Sequence, residues 1–277
     1  MSAQAKGRTS GNRGDGGEAI LEAFRHLGID TIISSPGSEW PPLWEALARQ
    51  KRDGREGPVF LSLGHEILAV SFAAGYTAVT GRLQAVVLHA GAGLLQGAMA
   101  INAAKAMEIP MLVTSGEALG FGEDGFDPGS QWYRNLSVVG GNQRLVEAIT
   151  KWSQQAPNGA TLYHSMTRAG EMAQRVPRGP VYLSVAMETM LEPWTMPPSG
   201  PVPAAPRLQP AAPDLEAAAR LVAGASRPVL YVENLPPRPE YLAALAAFVT
   251  ATAMPVVEAQ GAFFGNFAKS SPFYAGQ

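Results

Sequence analysis

The sequence predicts an α/β protein, an open parallel sheet with helices on both faces, followed by an incomplete second α/β domain. Three observations carry this prediction. Short apolar segments alternate with helix-spaced ones from Glu18 to Met187. The apolar segments, AVVL and PMLV among them, are hydrophobic along their whole length, as in strands covered on both faces. A Pro-rich stretch over 196–213 interrupts the alternation, which then resumes for two further repeats.

Taken in order, residues 1–16 are polar and Gly-rich with no apolar signal core, and read as a disordered tail. Glu18 to Leu27 places Ile20, Leu21, Phe24 and Leu27 at helical spacing, and Gly28 ends the helix. IDTIISS is a strand ending at Pro36-Gly37. PPLWEALARQ is a helix with proline in its first turn. VFLSLGH is a strand, EILAVSFAAGYTAVT a helix closed by Gly81, and LQAVVLH a strand running into a Gly-rich turn. LLQGAMAINAAKAME is a small-residue helix and IPMLVTSGE a strand. Phe121 to Asn142 is a Gly- and Asp-rich loop. VEAITKWSQQ and ATLYHSMTRAGEMAQRV are predicted helices, and VYLSVAM is a strand. These elements form a domain over 17–195. After the linker at 196–213, residues 214–277 supply helix, strand, helix and strand. Two repeats are few for an independent sheet, so another polypeptide completes this domain or the sequence is a fragment.

Composition narrows the partners. Among 277 residues, Lys and Arg number 21 and Asp and Glu 23, a net charge of -2, with no pull toward nucleic acid. With Cys 0, disulfides, zinc-thiolate sites, iron–sulfur clusters and a cysteine nucleophile are excluded. No window approaches ~18 uninterrupted apolar residues, so no membrane span is expected. A soluble, cytoplasmic protein is the expectation.

Polar residues cluster at predicted strand ends. Pro36-Gly37-Ser38 follows the first strand, where ligands bind in open parallel sheets. Ser38 as a plain helix cap is the alternative. Glu66 opens a helix, either as a dipole-stabilised first-turn carboxylate or, on the rim of an almost wholly apolar helix, as a tunable acid. His89 ends another strand before Gly91, Gly93 and Gly97, and is an acid–base candidate or a structural histidine. The glycine spacing G-x-G-x-x-x-G departs from the dinucleotide fingerprint. Gly14-Asp15-Gly16 lies in the tail and reads as a chance match to a metal–diphosphate motif. No metal ligands are assigned. Three of these four places converge on one sheet edge.

Together, PGSEWPPLWEAL, GHEILAVSFAAGYTAVTG, VVLHAGAGLLQGAMAINAAKAMEIPMLVTSGE, KWSQQ and GPVYLSV resemble the pyrimidine-binding domain of thiamine-diphosphate enzymes. That family includes acetolactate synthase, pyruvate decarboxylase and benzoylformate decarboxylase. The likeness runs from about Gly17 to Trp194, with a looser match to the start of the family's central domain. Its most specific part is Glu66, Ala69, Ala73, Gly75 and Tyr76. P-G-S and L-H-x-x-x-G are most similar to benzoylformate decarboxylase.

The resemblance implies a lyase or carboligase that cleaves or forms a C–C bond next to a carbonyl. Glu66 would hydrogen-bond the aminopyrimidine N1′ of the cofactor, helping to generate the thiazolium ylid. Ser38 would contact a substrate carboxylate, His89 would relay protons, and Pro36 and Gly37 would line the pyrimidine pocket. The family's diphosphate and Mg²⁺ element is missing from these residues. A partner subunit would therefore supply it, together with the rest of the central domain, giving a hetero-oligomer such as a dimer of heterodimers acting on a small carbonyl substrate. An acetolactate-synthase-like or diketone-cleaving reaction on this fold is one alternative, and a non-catalytic binding module another. Glu39 and Trp40 are expected to add charge and bulk at the pocket mouth. Met107, Phe121, Phe126, Trp132 and Tyr133 are further candidates to shape it.

Overall fold

The computed structural model describes residues 13–117, 141–197, 205–206, 208–235, 238–261 and 265–277. Contacts divide them into two units: residues up to Ala74 with Leu83–Ala205, and Gly75–Arg82 with Pro206–Gln277. The chain up to Thr195 runs β1 (Arg13–Asp15), α1 (Gly16–His26), β2 (Thr31–Ser35), α2 (Pro41–Arg52), β3 (Val59–Ser62), α3 (Glu66–Thr80), β4 (Gln84–Leu88), α4 (Gly91–Ala106) and β5 (Met111–Glu117). It continues with α5 (Asn142–Leu145), β6 (Trp152–Gln155), α6 (Gly159–Gln174), β7 (Pro180–Ala186), α7 (Met187–Leu191) and β8 (Pro193–Thr195).

Six strands form one parallel sheet in the order β3-β2-β4-β5-β7-β6. Register places Ile33 beside Val86, Val86 beside Val113, and Val113 beside Tyr182. The inner strands β4, β5 and β7 are buried at every position, whereas the edge strands β3 and β6 are not. Hence the inner strands carry apolar runs, AVVL, MLV and VYL, without the polar alternation of a half-exposed strand. Side chains alternate between faces. Ala85 and Val87 join Ile20, Phe24, Leu43 and Met166 in a core under α1, α2 and α6. Leu88 and Val86 point the other way. A Cβ on Gly97 of α4 would meet Leu88 at 3.1 Å and Val70 of α3 at 3.3 Å, so α3 and α4 cover that face.

The helix ends follow local chemistry. Asp15 caps α1 by accepting the Glu18 N–H at 2.9 Å, and it pairs with Arg49 at 3.0 Å. The expected tail over 1–16 therefore gives way at Arg13, where β1 pairs antiparallel with β8. Asp15 is committed to a cap and an ion pair. Gly28 (φ +69) ends α1, its N–H reaching Arg25 O and that of Ile29 reaching Phe24 O. The same closing pattern ends α4, but Glu108 occupies the left-handed position with φ 53. An L-residue there costs about 1–2 kcal/mol. Glu108→Gly is expected to stabilise the protein by about 1 kcal/mol, read as a higher urea midpoint at unchanged slope.

Two expectations are corrected. VEAITKWSQQ is not a helix. Glu147–Ile149 is a short 3-10 turn and Trp152–Gln155 is the edge strand β6, parallel to β7. Pairing to β7 overrides the helical spacing of Val146 and Ile149. Ser38 does not cap α2, whose cap position is Trp40, with prolines following in the first turn.

The second unit holds α8 (Ala212–Gly224), β9 (Leu230–Val232), α9 (Pro239–Thr252), β10 (Val256–Glu258) and β11 (Tyr274–Gly276). Its three strands are parallel in the order β11-β10-β9. The core is small, built on Val232, Val249, Val256 and Phe267. Buried Glu258 accepts the Asn266 and Phe267 N–H groups, at 2.6 and 3.2 Å. Strand β11 is too short to show a pattern and was not expected. No helix among the described residues is long and apolar enough to cross a membrane.

Candidate active site

Strand order creates the site. The chain leaves β2 for β3 on one side, while β4 leads to β5 on the other. Between such strands the connecting loops part and leave a crevice beyond the carboxyl ends. The segment after β2 carries Pro36, Gly37, Ser38 and Glu39, and the residue after β4 is His89. The His89 N–H donates to Ser35 O at 3.0 Å, which extends the β2–β4 ladder to the histidine.

Glu39 lies inside the protein. Its side chain is 0% exposed, and each carboxylate oxygen is 3.0 Å from His89 Nδ1. Oε1 also accepts the Ala90 N–H at 2.6 Å, at the start of α4. Trp40 is buried too, its indole N–H donating to Leu88 O at 2.9 Å. The pair expected at the pocket mouth is therefore a buried anchor. Its carboxylate joins the β2 loop to the β4 loop, and its indole locks the turn to β4.

Glycines make the close approach possible. A Cβ on Gly37 would lie 1.7 Å from His89 Nδ1 and 2.3 Å from Glu39 Oε2. A Cβ on Gly116, at the end of β5, would lie 1.9 Å from Glu39 Cγ. A Cβ on Gly93 would lie 2.8 Å from His89 Cβ and 3.0 Å from Glu66 Oε1. Glu66 and His89 thus flank one point on the first turn of α4.

Glu66 opens α3 with its side chain 17% exposed. The ring of His65, just before it, accepts the Ile67 N–H at 3.2 Å and lies 3.8 Å from the Glu66 carboxylate. The Glu39 hydrogen bond raises the His89 pKa above the ordinary imidazole value, with a smaller push from the Glu66 charge; burial opposes both. Ser38 is exposed in the turn. Met107 ends the 16-residue helix α4, about 24 Å from its first turn, and does not shape this crevice. Phe121, Phe126, Trp132 and Tyr133 lie outside the described residues.

Beside the crevice, the ends of β5 and β7 hold a buried polar network. Ser184 donates to Glu117 at 2.8 Å, and the Asn142 N–H donates to the same oxygen at 3.3 Å. Ser115 and Tyr182 share a hydrogen bond of 2.6 Å, and burial pushes the Tyr182 phenol far up. Neither Glu39 nor Glu117 stood out in the sequence as a buried group. The usable signal was an acidic residue at the end of a buried strand or in the turn behind one.

Residues 14–119 match the family model described as the thiamine pyrophosphate enzyme N-terminal TPP binding domain. Over these residues the chain is similar to the N-terminal domain of thiamine pyrophosphate enzymes. A benzoylformate decarboxylase of Pseudomonas aeruginosa is 28% identical over 177 residues, 63% of this chain and 30% of that protein. An acetolactate synthase of Mycobacterium bovis is 26% identical over 254 residues, 90% of this chain and 39% of that protein. The chain thus spans less than half the length of these relatives. Among solved structures, the benzoylformate decarboxylase of Polynucleobacter necessarius aligns with a TM-score of 0.76 at 19% identity, covering 95% of this chain and 46% of that one. The fold is therefore that of thiamine-diphosphate enzymes. Glu66, His89, Pro36, Gly37 and Ser38 all lie within the matched segment.

Proposed function

We propose that this chain binds the aminopyrimidine half of thiamine diphosphate and supplies part of the active site of a lyase or carboligase. The reaction cleaves or forms a C–C bond next to the carbonyl of a small substrate. The observation that carries this reading is the meeting of Glu66 and His89 at Gly93, beyond the β2–β4 crevice. The residues fit the cofactor: a partly buried carboxyl at a helix start, backbone kept bare of side chains at Gly37 and Gly93, and an imidazole nearby.

When bound, thiamine diphosphate supplies a carbon nucleophile and a sink for the electrons released on C–C cleavage. Glu66 holds a proton between its carboxyl oxygen and the pyrimidine N1′. His89, whose protonated form is favoured by Glu39, gives and takes a proton at the substrate oxygen. Ser38, exposed in the turn after β2, hydrogen-bonds a substrate carboxylate. Pro36 and Gly37 present backbone to the pyrimidine.

Diphosphate and Mg²⁺ are bound by a partner chain, which also completes the central domain in a hetero-oligomer. Two features support this. Beside Glu66, α3 exposes Leu68 (56%), and α4 exposes Leu95 (53%) and Met99 (75%), an apolar surface next to the site. In the second unit, α8 buries none of its residues and α9 only Val249. Leu68→Glu is expected to weaken partner binding at least tenfold while leaving the melting temperature of the isolated chain unchanged, as checked by sedimentation and calorimetry.

A second reading, acetolactate-synthase-like acyl transfer, is favoured by the acetolactate synthase alignment over 90% of the chain. Products of the purified assembly separate the two. Carbon dioxide and free aldehyde from an aryl 2-oxo acid such as benzoylformate support the decarboxylase reading. Acetolactate as the product supports the transferase. Turnover of neither kind by cofactor-loaded assembly overturns both and leaves a diketone-cleaving reaction or a binding module.

A further inference from the structure

We propose that Glu39 is the positioning residue of this site: its buried carboxylate fixes the tautomer and direction of the His89 ring and ties it to the first turn of α4. The proposal rests on His89 acting as a proton relay, as set out above.

Geometry carries it. Both Glu39 oxygens stand 3.0 Å from Nδ1, so the carboxylate straddles one ring nitrogen. Oε1 is held a second time by the Ala90 N–H, which sets the carboxylate against the residue next to the histidine. The turn after β2 and strand β5 each place a glycine where this side chain needs room, Gly37 and Gly116. Helix packing alone has no need of such clearance around a charged group. Two acceptor oxygens at Nδ1 require the ring proton to sit on Nδ1. Nε2 is then the atom that exchanges the working proton.

The charges facing His89 among the described residues act together. Glu39 comes from the turn after β2 and Glu66 from the start of α3, and both favour the imidazolium. Glu117 follows Gly116, whose backbone packs on Glu39, and His65 stands beside Glu66. Because the folded-state value of His89 lies above its unfolded one, the pair's stabilisation is complete below the unfolded pKa, about 6.5. It is lost as pH rises through the folded value.

The test is a carbon-13 imidazole titration of the full chain, whose His 4 are resolved and assigned with His89→Gln. His89 is expected to titrate above the ordinary imidazole value, about 6.5. In Glu39→Gln, which keeps the side-chain volume and an acceptor for Ala90, the His89 midpoint falls. An unchanged midpoint overturns the proposal. Should Glu39→Gln not fold, a wild-type His89 midpoint at or below about 6.5 does the same.

In the assembled enzyme, Glu39→Gln lowers kcat about 10- to 100-fold with little change in KM, and moves the alkaline limb of the kcat profile to lower pH. A purely structural role shifts the melting temperature and leaves that limb in place, which also overturns the proposal. Failure of thiamine diphosphate to bind overturns the functional reading and leaves the titration standing, so the two claims fail separately.

Discussion

Glu66→Gln is expected to lower turnover of the assembled enzyme by about 10²- to 10⁴-fold, the range for losing a positioned proton-transfer group. The amide keeps the size of the side chain and can still hydrogen-bond a ring nitrogen, but it cannot share a titrating proton with it. The fold is expected to survive. The Glu66 carboxylate is 17% exposed, and His65, itself 47% exposed, stands 3.8 Å from it. The loss is then a first-turn charge on α3, worth about 0.3–1 kcal/mol. Melting curves and steady-state kinetics on the same preparation check both halves. Undiminished turnover removes Glu66 from the chemistry, and with it the catalytic reading of this chain.

Gly37→Ala is the second large effect. The new methyl falls 1.7 Å from His89 Nδ1 and 2.3 Å from Glu39 Oε2, distances no packing tolerates. Either the histidine leaves Glu39 or the turn after β2 moves. Moving the turn drags Trp40, whose indole is tied to Leu88 O in the core. Displacing the histidine is the smaller disturbance. Activity is expected to fall at least 10²-fold, as for a reacting group misplaced by about 1 Å. Overpacking adds a stability loss of about 1–3 kcal/mol. The decisive comparison is Gly64→Ala, in a position where a Cβ meets nothing within 4 Å. Equal effects at the two positions would show that the loss is not local to the dyad.

Much of the fold was legible because the inner strands carry their own signature. β4, β5 and β7 are buried on both faces, and each carries an apolar run of three or four residues, AVVL, MLV and VYL. Edge strands lack that pressure. Trp152–Gln155 is polar at every position but Trp152, and only its pairing to β7 makes it a strand. β1 has three residues and no apolar pattern, so its pairing with Pro193–Thr195 could not be read from either segment.

The site divides in the same way. Glu66, His89 and Gly37 follow strand ends or open helices, positions that a strand–helix alternation locates. Glu39 was visible as a charge, but its burial depends on contacts across the chain, with His89 fifty positions on and with Gly116. A sequence shows that a carboxylate exists and not what closes over it. For the same reason Met107 was misplaced: its distance from the crevice is set by the length of α4.

We propose that this chain forms half of a thiamine diphosphate site completed by another polypeptide. The most direct test is the mass and composition of the native assembly, with bound cofactor assayed in the same sample. The account predicts a second chain in equal amount, together with thiamine diphosphate and Mg²⁺. A chain that purifies alone and takes up no thiamine diphosphate when the cofactor and Mg²⁺ are added contradicts it.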